Sequence, residues 1–150
     1  FPGTGSGNML KKNWSTNISQ VLQSDDIPPA YKQAYALAKE IKEIIENGGG
    51  SLQLSGHSLG GGIANYVGLK LDIQSFCFNA AALGGGCQED LKNELTPSRL
   101  KKQIHINQKG DIVSSNKTQN KITEIANFIN TKIVTPKNIG VVSVVSQRFS

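Results

Sequence analysis

Five consecutive residues carry the clearest chemistry in this sequence: Gly56-His57-Ser58-Leu59-Gly60. The pattern G-x-S-x-G follows Ser51-Leu52-Gln53-Leu54-Ser55, which reads as a short strand, and precedes Ile63 to Leu71, which reads as a helix. A turn that takes the chain from strand to helix in so few residues strains the backbone of the serine. Side chains two residues to either side would collide, hence glycine at both Gly56 and Gly60. Such a turn lifts the Ser58 hydroxyl clear of the sheet and sets it at a helix N-terminus. There the N–H of Leu59 is placed to stabilise a developing oxyanion. The chemistry this predicts is acyl transfer through Ser58. The competing reading is a glycine-rich turn with an incidental serine.

A serine nucleophile needs a base, and the chain offers two histidines. His57 adjoins the serine, so the turn directs its side chain elsewhere. His105 alternates with Ile104 and Ile106 in a strand-like run and belongs in the core or between helix and sheet. It lies six residues before the nearest downstream acid, Asp111, a span of up to about 20 Å in extended chain. Neither is expected to serve Ser58. Two histidines without a carboxylate cluster also make a poor metal site, and neither a metal nor a cofactor is expected.

The elements that must position Ser58 follow from periodicity. Asp26 stands as an N-cap before Pro28-Pro29, and Tyr31, Ala34, Leu37, Ala38, Ile41, Ile44 and Ile45 recur at helical spacing up to about Glu46. Gly48-Gly49-Gly50 ends that helix. Residues 74–82 suit a strand buried on both faces, 84–98 a loop with at most a helical turn, and Lys102 to Asn107 another strand. A short helix at 14–22, a helix from Gln119 to Lys132 and a last strand from Val141 to Val145 complete the pattern. Strands alternating with helices predict a three-layer α/β domain with a mostly parallel sheet. Ligands of such sheets bind outside the carboxyl ends of the strands.

Composition narrows the rest. A chain of 150 residues, 37% apolar, is one ordinary domain that buries about 68–70% of its unfolded surface. The longest uncharged apolar stretches are strand-sized, too short to span a membrane as a helix. The net charge of +5 arises entirely in residues 76–150, with ten Lys/Arg against five Asp/Glu; residues 1–75 balance at six each. These charges are scattered and not interleaved with aromatics, so nucleic acid is not an expected partner. They read as a solvated basic face, of a kind that would also suit an anionic membrane surface. Cys77, within Phe76-Cys77-Phe78, reads as a buried thiol and Cys87 as a loop residue, with a bridge between them as the lesser alternative.

Residues 55–65, SGHSLGGGIAN, resemble the elbow of the lipase class 3 family, the fungal-type α/β-hydrolase lipases and their bacterial phospholipase relatives. Phe1-Pro2-Gly3-Thr4, followed by Asn13-Trp14 and Asn17-Ile18, is similar to the family's F-R-G-[ST] segment with its downstream D-W-x-x-[DN]-[LI]. Phe78-Asn79-Ala80-Ala81 stands where the family has its F-G/N-x-P strand end, and Ile104 to Val113 resembles the strand and loop bearing the triad acid. The resemblance implies an α/β-hydrolase-like fold and hydrolysis of lipid esters through a Ser58 acyl-enzyme. It makes Asp111 the triad acid and adds the Thr4 N–H to that of Leu59 in the oxyanion hole. It also implies a lipid ester substrate, a membrane surface as docking partner, and secretion. The departures are specific: Pro2 replaces the family's Arg, the fold's first two strands have no counterpart upstream, and no histidine follows His105. Because the chain opens on Phe1 and closes just after Val141–Val145, residues 1–150 read as a single hydrolase domain lacking its first strands and the loop that bears the histidine. Two other readings remain: a non-catalytic module of the same fold that has lost its base, and a non-lipase esterase or acyltransferase.

Overall fold

A computed structural model describes residues 1, 24–108, 139 and 141–145. Its elements, in chain order, are α1 (Pro29–Asn47), β1 (Gln53–His57), α2 (Leu59–Leu71), β2 (Gln74–Phe78), α3 (Gly85–Asp90), α4 (Pro97–Lys101), β3 (Gln103–Gln108) and β4 (Val141–Val145). The four strands form one sheet in the order β1-β2-β3-β4, and every pairing is parallel. The mostly parallel α/β fold expected from the alternation is therefore present. The expected helices at 14–22 and 119–132 lie outside the described residues.

Local chemistry explains where the elements begin and end. Helix α1 starts at Pro29, with the extended Pro28 (ψ 146°) as its cap. Asp26 is not the cap: Ile27 and the extended Pro28 stand between it and the first helical residue, and both precede a proline, which pushes them out of helical geometry. Ser24 instead bridges Asp26, its hydroxyl donating to the Asp26 carbonyl and accepting from the Asp26 N–H. At the other end the Gly50 N–H returns to the Ile45 carbonyl, and Gly49 supplies the positive φ of 81° that this closure needs. Helix α2 begins four residues earlier than its apolar run suggests and takes in Gly60-Gly61-Gly62. Its C-terminus closes at Asp72 in the left-handed region, while the Arg99 guanidinium donates to the Leu69 and Lys70 carbonyls at 2.8 and 3.1 Å. A cation thus satisfies two carbonyls that a helix end leaves orphaned.

Helix α2 is buried from Gly60 to Leu69 and forms the centre of the molecule. Leu54 and Gly56 of β1, Ser75 and Cys77 of β2, and Gln103, His105 and Asn107 of β3 share its face of the sheet and are all buried. On α2's other side stands α1, with the Tyr31 and Tyr66 rings 5.6 Å apart. Helix α3 is tied on by the Tyr66 hydroxyl donating to Asp90 at 2.7 Å. The reverse face of the sheet carries Ser55, His57, Phe76, Phe78, Ile104 and Ile106, half-buried or exposed. No helix among the described residues is long and apolar enough to cross a membrane.

Candidate active site

Strand β1 extends two residues further than its alternation indicated, so Gly56 and His57 are its last members and the turn falls on Ser58 alone. Ser58 has φ 56° and ψ −122°, a conformation that L-residues adopt at a cost of about 1–3 kcal/mol and only when the surroundings impose it. Those surroundings are specific. The Ser58 N–H donates to the Phe78 carbonyl at 3.0 Å, and the Ser58 carbonyl accepts from Gly62 at 3.2 Å and from Ala81 at 2.9 Å. Both neighbouring elements therefore grip the backbone of this one residue. Its hydroxyl is buried, 4% of the residue being exposed, and has no hydrogen-bond partner among the described residues.

The glycines make the turn possible through close approach. A Cβ on Gly56 would stand 2.1 Å from the Gly60 carbonyl oxygen and 2.7 Å from the Gly61 nitrogen, both backbone atoms that cannot move aside. One on Gly61 would meet the Ala80 Cβ at 2.7 Å. We expect Gly56→Ala to cost about 3 kcal/mol or more, whereas Gly48→Ala, whose Cβ would find its nearest neighbour at 3.5 Å, should be close to neutral. Urea unfolding of the two variants checks this; parental stability of Gly56→Ala would show that the turn is looser than described.

Leu59 is the first residue of α2, so its N–H has no acceptor within the helix and lies at the positive end of the helix dipole, beside Ser58. The segment after β2 closes the site from the other side. Asn79, at φ 42°, ends the strand well short of residue 82, and Ala80 to Leu83 run as a buried loop against α2. The expected strand stopped early because a left-handed residue cannot continue a β-ladder. Residues 84–98 hold α3 and the start of α4 in place of a loop, and Cys87 is buried on α3. Both cysteines are free. Burial pushes the Cys77 thiol up to about 11, and burial with the nearby Asp90 pushes Cys87 up to about 12. Neither thiol is therefore a competing nucleophile at neutral pH.

Neither histidine reaches Ser58. His57 is exposed and points to the sheet face opposite Gly56. His105 is fully buried two strands away, about 10 Å across the sheet. Its Nε2 donates to the Ile139 carbonyl at 3.2 Å, toward β4 and away from β1. Burial lowers its pKa from the usual 6.5, more than the bond to Ile139 raises it. A pKa lower in the folded chain means that the unfolded chain takes up the proton first. This contribution to stability is intact above pH 6.5 and is lost as the pH falls below it. Unfolding free energy should drop by up to about 1.4 kcal/mol per pH unit in that window, and His105→Gln should flatten the slope. An unchanged slope in the variant would assign the acid sensitivity elsewhere.

Thr4 and Asp111 lie outside the described residues, as do six of the ten basic residues of the second half, from Lys109 onward. The four described lysines nearest acids are paired: Lys42 with Glu46, Lys70 with Asp90 and Glu94, Lys92 with Glu89, and Lys102 with Asp72. No group of three or more His, Cys, Asp and Glu comes together among the described residues. Sequence reasoning passed over Asn79 as a structural determinant, although an Asn at the end of an apolar run is a signal for a left-handed break.

Comparison with known proteins bears on this turn and its scaffold. The extracellular phospholipase A1 of Serratia liquefaciens is 38% identical over 72 residues, a stretch covering 48% of this chain and 21% of that protein. The chain thus matches about a fifth of that curated relative's length. A family model described as the Tle-like phospholipase domain matches residues 1–143. With nearly all of its length under that match, and a strained serine turn between parallel strand and helix inside it, this chain belongs to the Tle-like phospholipase family.

Proposed function

We propose that this chain carries the nucleophile and oxyanion side of a secreted serine phospholipase that hydrolyses carboxylic esters of membrane phospholipids through a Ser58 acyl-enzyme. The observation that carries the reading is the backbone of Ser58, held at φ 56° by three hydrogen bonds while its hydroxyl, at the N-terminus of α2, has no partner among the described residues. Strain of this kind is retained where it serves a site. In this reading Gly56 and Gly60 shape the turn, the Leu59 N–H and the Thr4 N–H hold the oxyanion, and Asp111 orients the base. Asp111 as the acid is supported by chain order, since β3 ends at Gln108, three residues before it in the sequence. The general base is a histidine outside these 150 residues, and residues 1–150 form one part of a larger hydrolase domain. Extracellular delivery and the phospholipid substrate are supported by the relative's name.

The test is release of free fatty acid from phosphatidylcholine vesicles by the full-length protein, compared with hydrolysis of a short soluble ester. Fatty acid release lost on substitution of Ser58 is the expected result. Hydrolysis of the soluble ester alone would turn the reading to a general esterase. The placement of both histidines favours one second reading, a binding module of the same fold without catalysis, and no hydrolysis of either substrate by the full-length protein would establish it.

A further inference from the structure

We infer that Asn79 is a positioning residue that locks the Ser58 turn to the end of β3, an inference that rests on the proposed role of Ser58. Three hydrogen bonds converge on this one position and its predecessor. The Phe78 carbonyl accepts from the Ser58 N–H at 3.0 Å, so the strand end immediately before Asn79 holds the backbone of the serine. The Asn79 N–H donates to the Ile106 carbonyl at 3.0 Å. The Asn79 side-chain Oδ1 then accepts from the Gln108 N–H at 2.6 Å, at the last residue of β3. Phe78 and Asn79 together tie the ends of three strands at the carboxyl edge of the sheet, where a ligand of such a sheet binds, with Asn79 making both bonds to β3.

The residue type matches both demands. The backbone sits at φ 42°, which glycine and asparagine tolerate best. A glycine would satisfy that angle but could not accept from Gln108; an alanine would satisfy neither. The side-chain acceptor is therefore a separate property from the turn, and substitution can remove it alone. Its loss would free the end of β3 from the elbow while leaving the core beneath, Cys77 and His105 included, in place. The consequence for catalysis is one of alignment. A nucleophile and the groups that activate it must be held within a fraction of an ångström, and a misplacement of about 1 Å costs on the order of a hundredfold in rate.

The experiment compares Asn79→Gly with Asn79→Asp in the full-length protein, with Ser58→Ala as the reference. Aspartate tolerates the same backbone angle and keeps an acceptor for the Gln108 N–H. We expect Asn79→Gly to melt near the parental temperature, to lose about tenfold or more in kcat with KM unchanged, and to react correspondingly slowly with a fluorophosphonate probe. Asn79→Asp should recover both rates to within about threefold, as a retained acceptor requires. Parental kcat in Asn79→Gly, a change confined to KM, or equal impairment of the two folded variants would each overturn the inference. If instead Ser58→Ala still reacts with the probe, it is the assignment of the nucleophile that has failed, and the Asn79 variants then report on another site.

Discussion

Replacing Ser58 by alanine should abolish fluorophosphonate labelling of the full-length protein and reduce phospholipid hydrolysis by on the order of 10⁶-fold, with stability unchanged or slightly increased. The size of the effect follows from what the residue alone provides. Among the described residues both cysteines are buried with raised pKa values, so no thiol stands in as nucleophile. Among the described residues the hydroxyl has no hydrogen-bond partner, so its removal orphans no buried donor or acceptor there. The strain does not disappear with the oxygen, because alanine at φ 56° is at least as unfavourable as serine. Loss of activity with retained melting temperature is thus the signature of a chemical role. Labelling that survives in the folded alanine variant would remove Ser58 from the mechanism.

The second large effect concerns the base. Residues 1–150 alone should hydrolyse a p-nitrophenyl ester only at the residual level that an oxyanion hole and binding provide, about 10³–10⁴ over water, far below the full-length protein. A serine hydroxyl at neutral pH needs a proton acceptor within about 2.6–3.2 Å, and the leaving alkoxide needs that proton returned. His105 is committed to the Ile139 carbonyl on the far side of β3, and His57 faces away across the sheet. An aspartate with an ordinary pKa near 3.9 is too weak a base to replace imidazole. His105→Ala should therefore leave the residual rate of the 150-residue chain where it was. Full activity in that chain, retained in His105→Ala, would show that the proton is handled by a group other than a histidine.

Much of the site was legible because its signals are local. G-x-S-x-G between an alternating run and an apolar run specifies a strand, a tight turn and a helix without reference to anything distant. Gly48-Gly49-Gly50 likewise fixed the end of α1 to within a residue, and the alternation of strands and helices specified a parallel sheet. Other features were decided by packing. Gly60-Gly61-Gly62 has poor helix propensity, yet it is helical because α2 must start directly after Ser58 and approach Ala80 and Tyr31 more closely than any side chain allows. The apolar stripe of α1 predicted one buried face from Tyr31 to Ile45. Only Tyr31, Ala34 and Ala38 are buried, whereas Leu37 and Ile44 are 55% and 73% exposed. Periodicity specifies which side of a helix is apolar; it does not specify how far the covering partner extends. His105 shows the same division. Its place in a strand followed from Ile104 and Ile106 on either side, but the direction of its ring depends on Ile139, 34 residues away. The sequence alone determined that a serine would be presented at the edge of a parallel sheet. Only the tertiary structure decided that its backbone is clamped from β2 and α2 and that the one buried histidine faces away, because both depend on contacts between segments that share no local pattern.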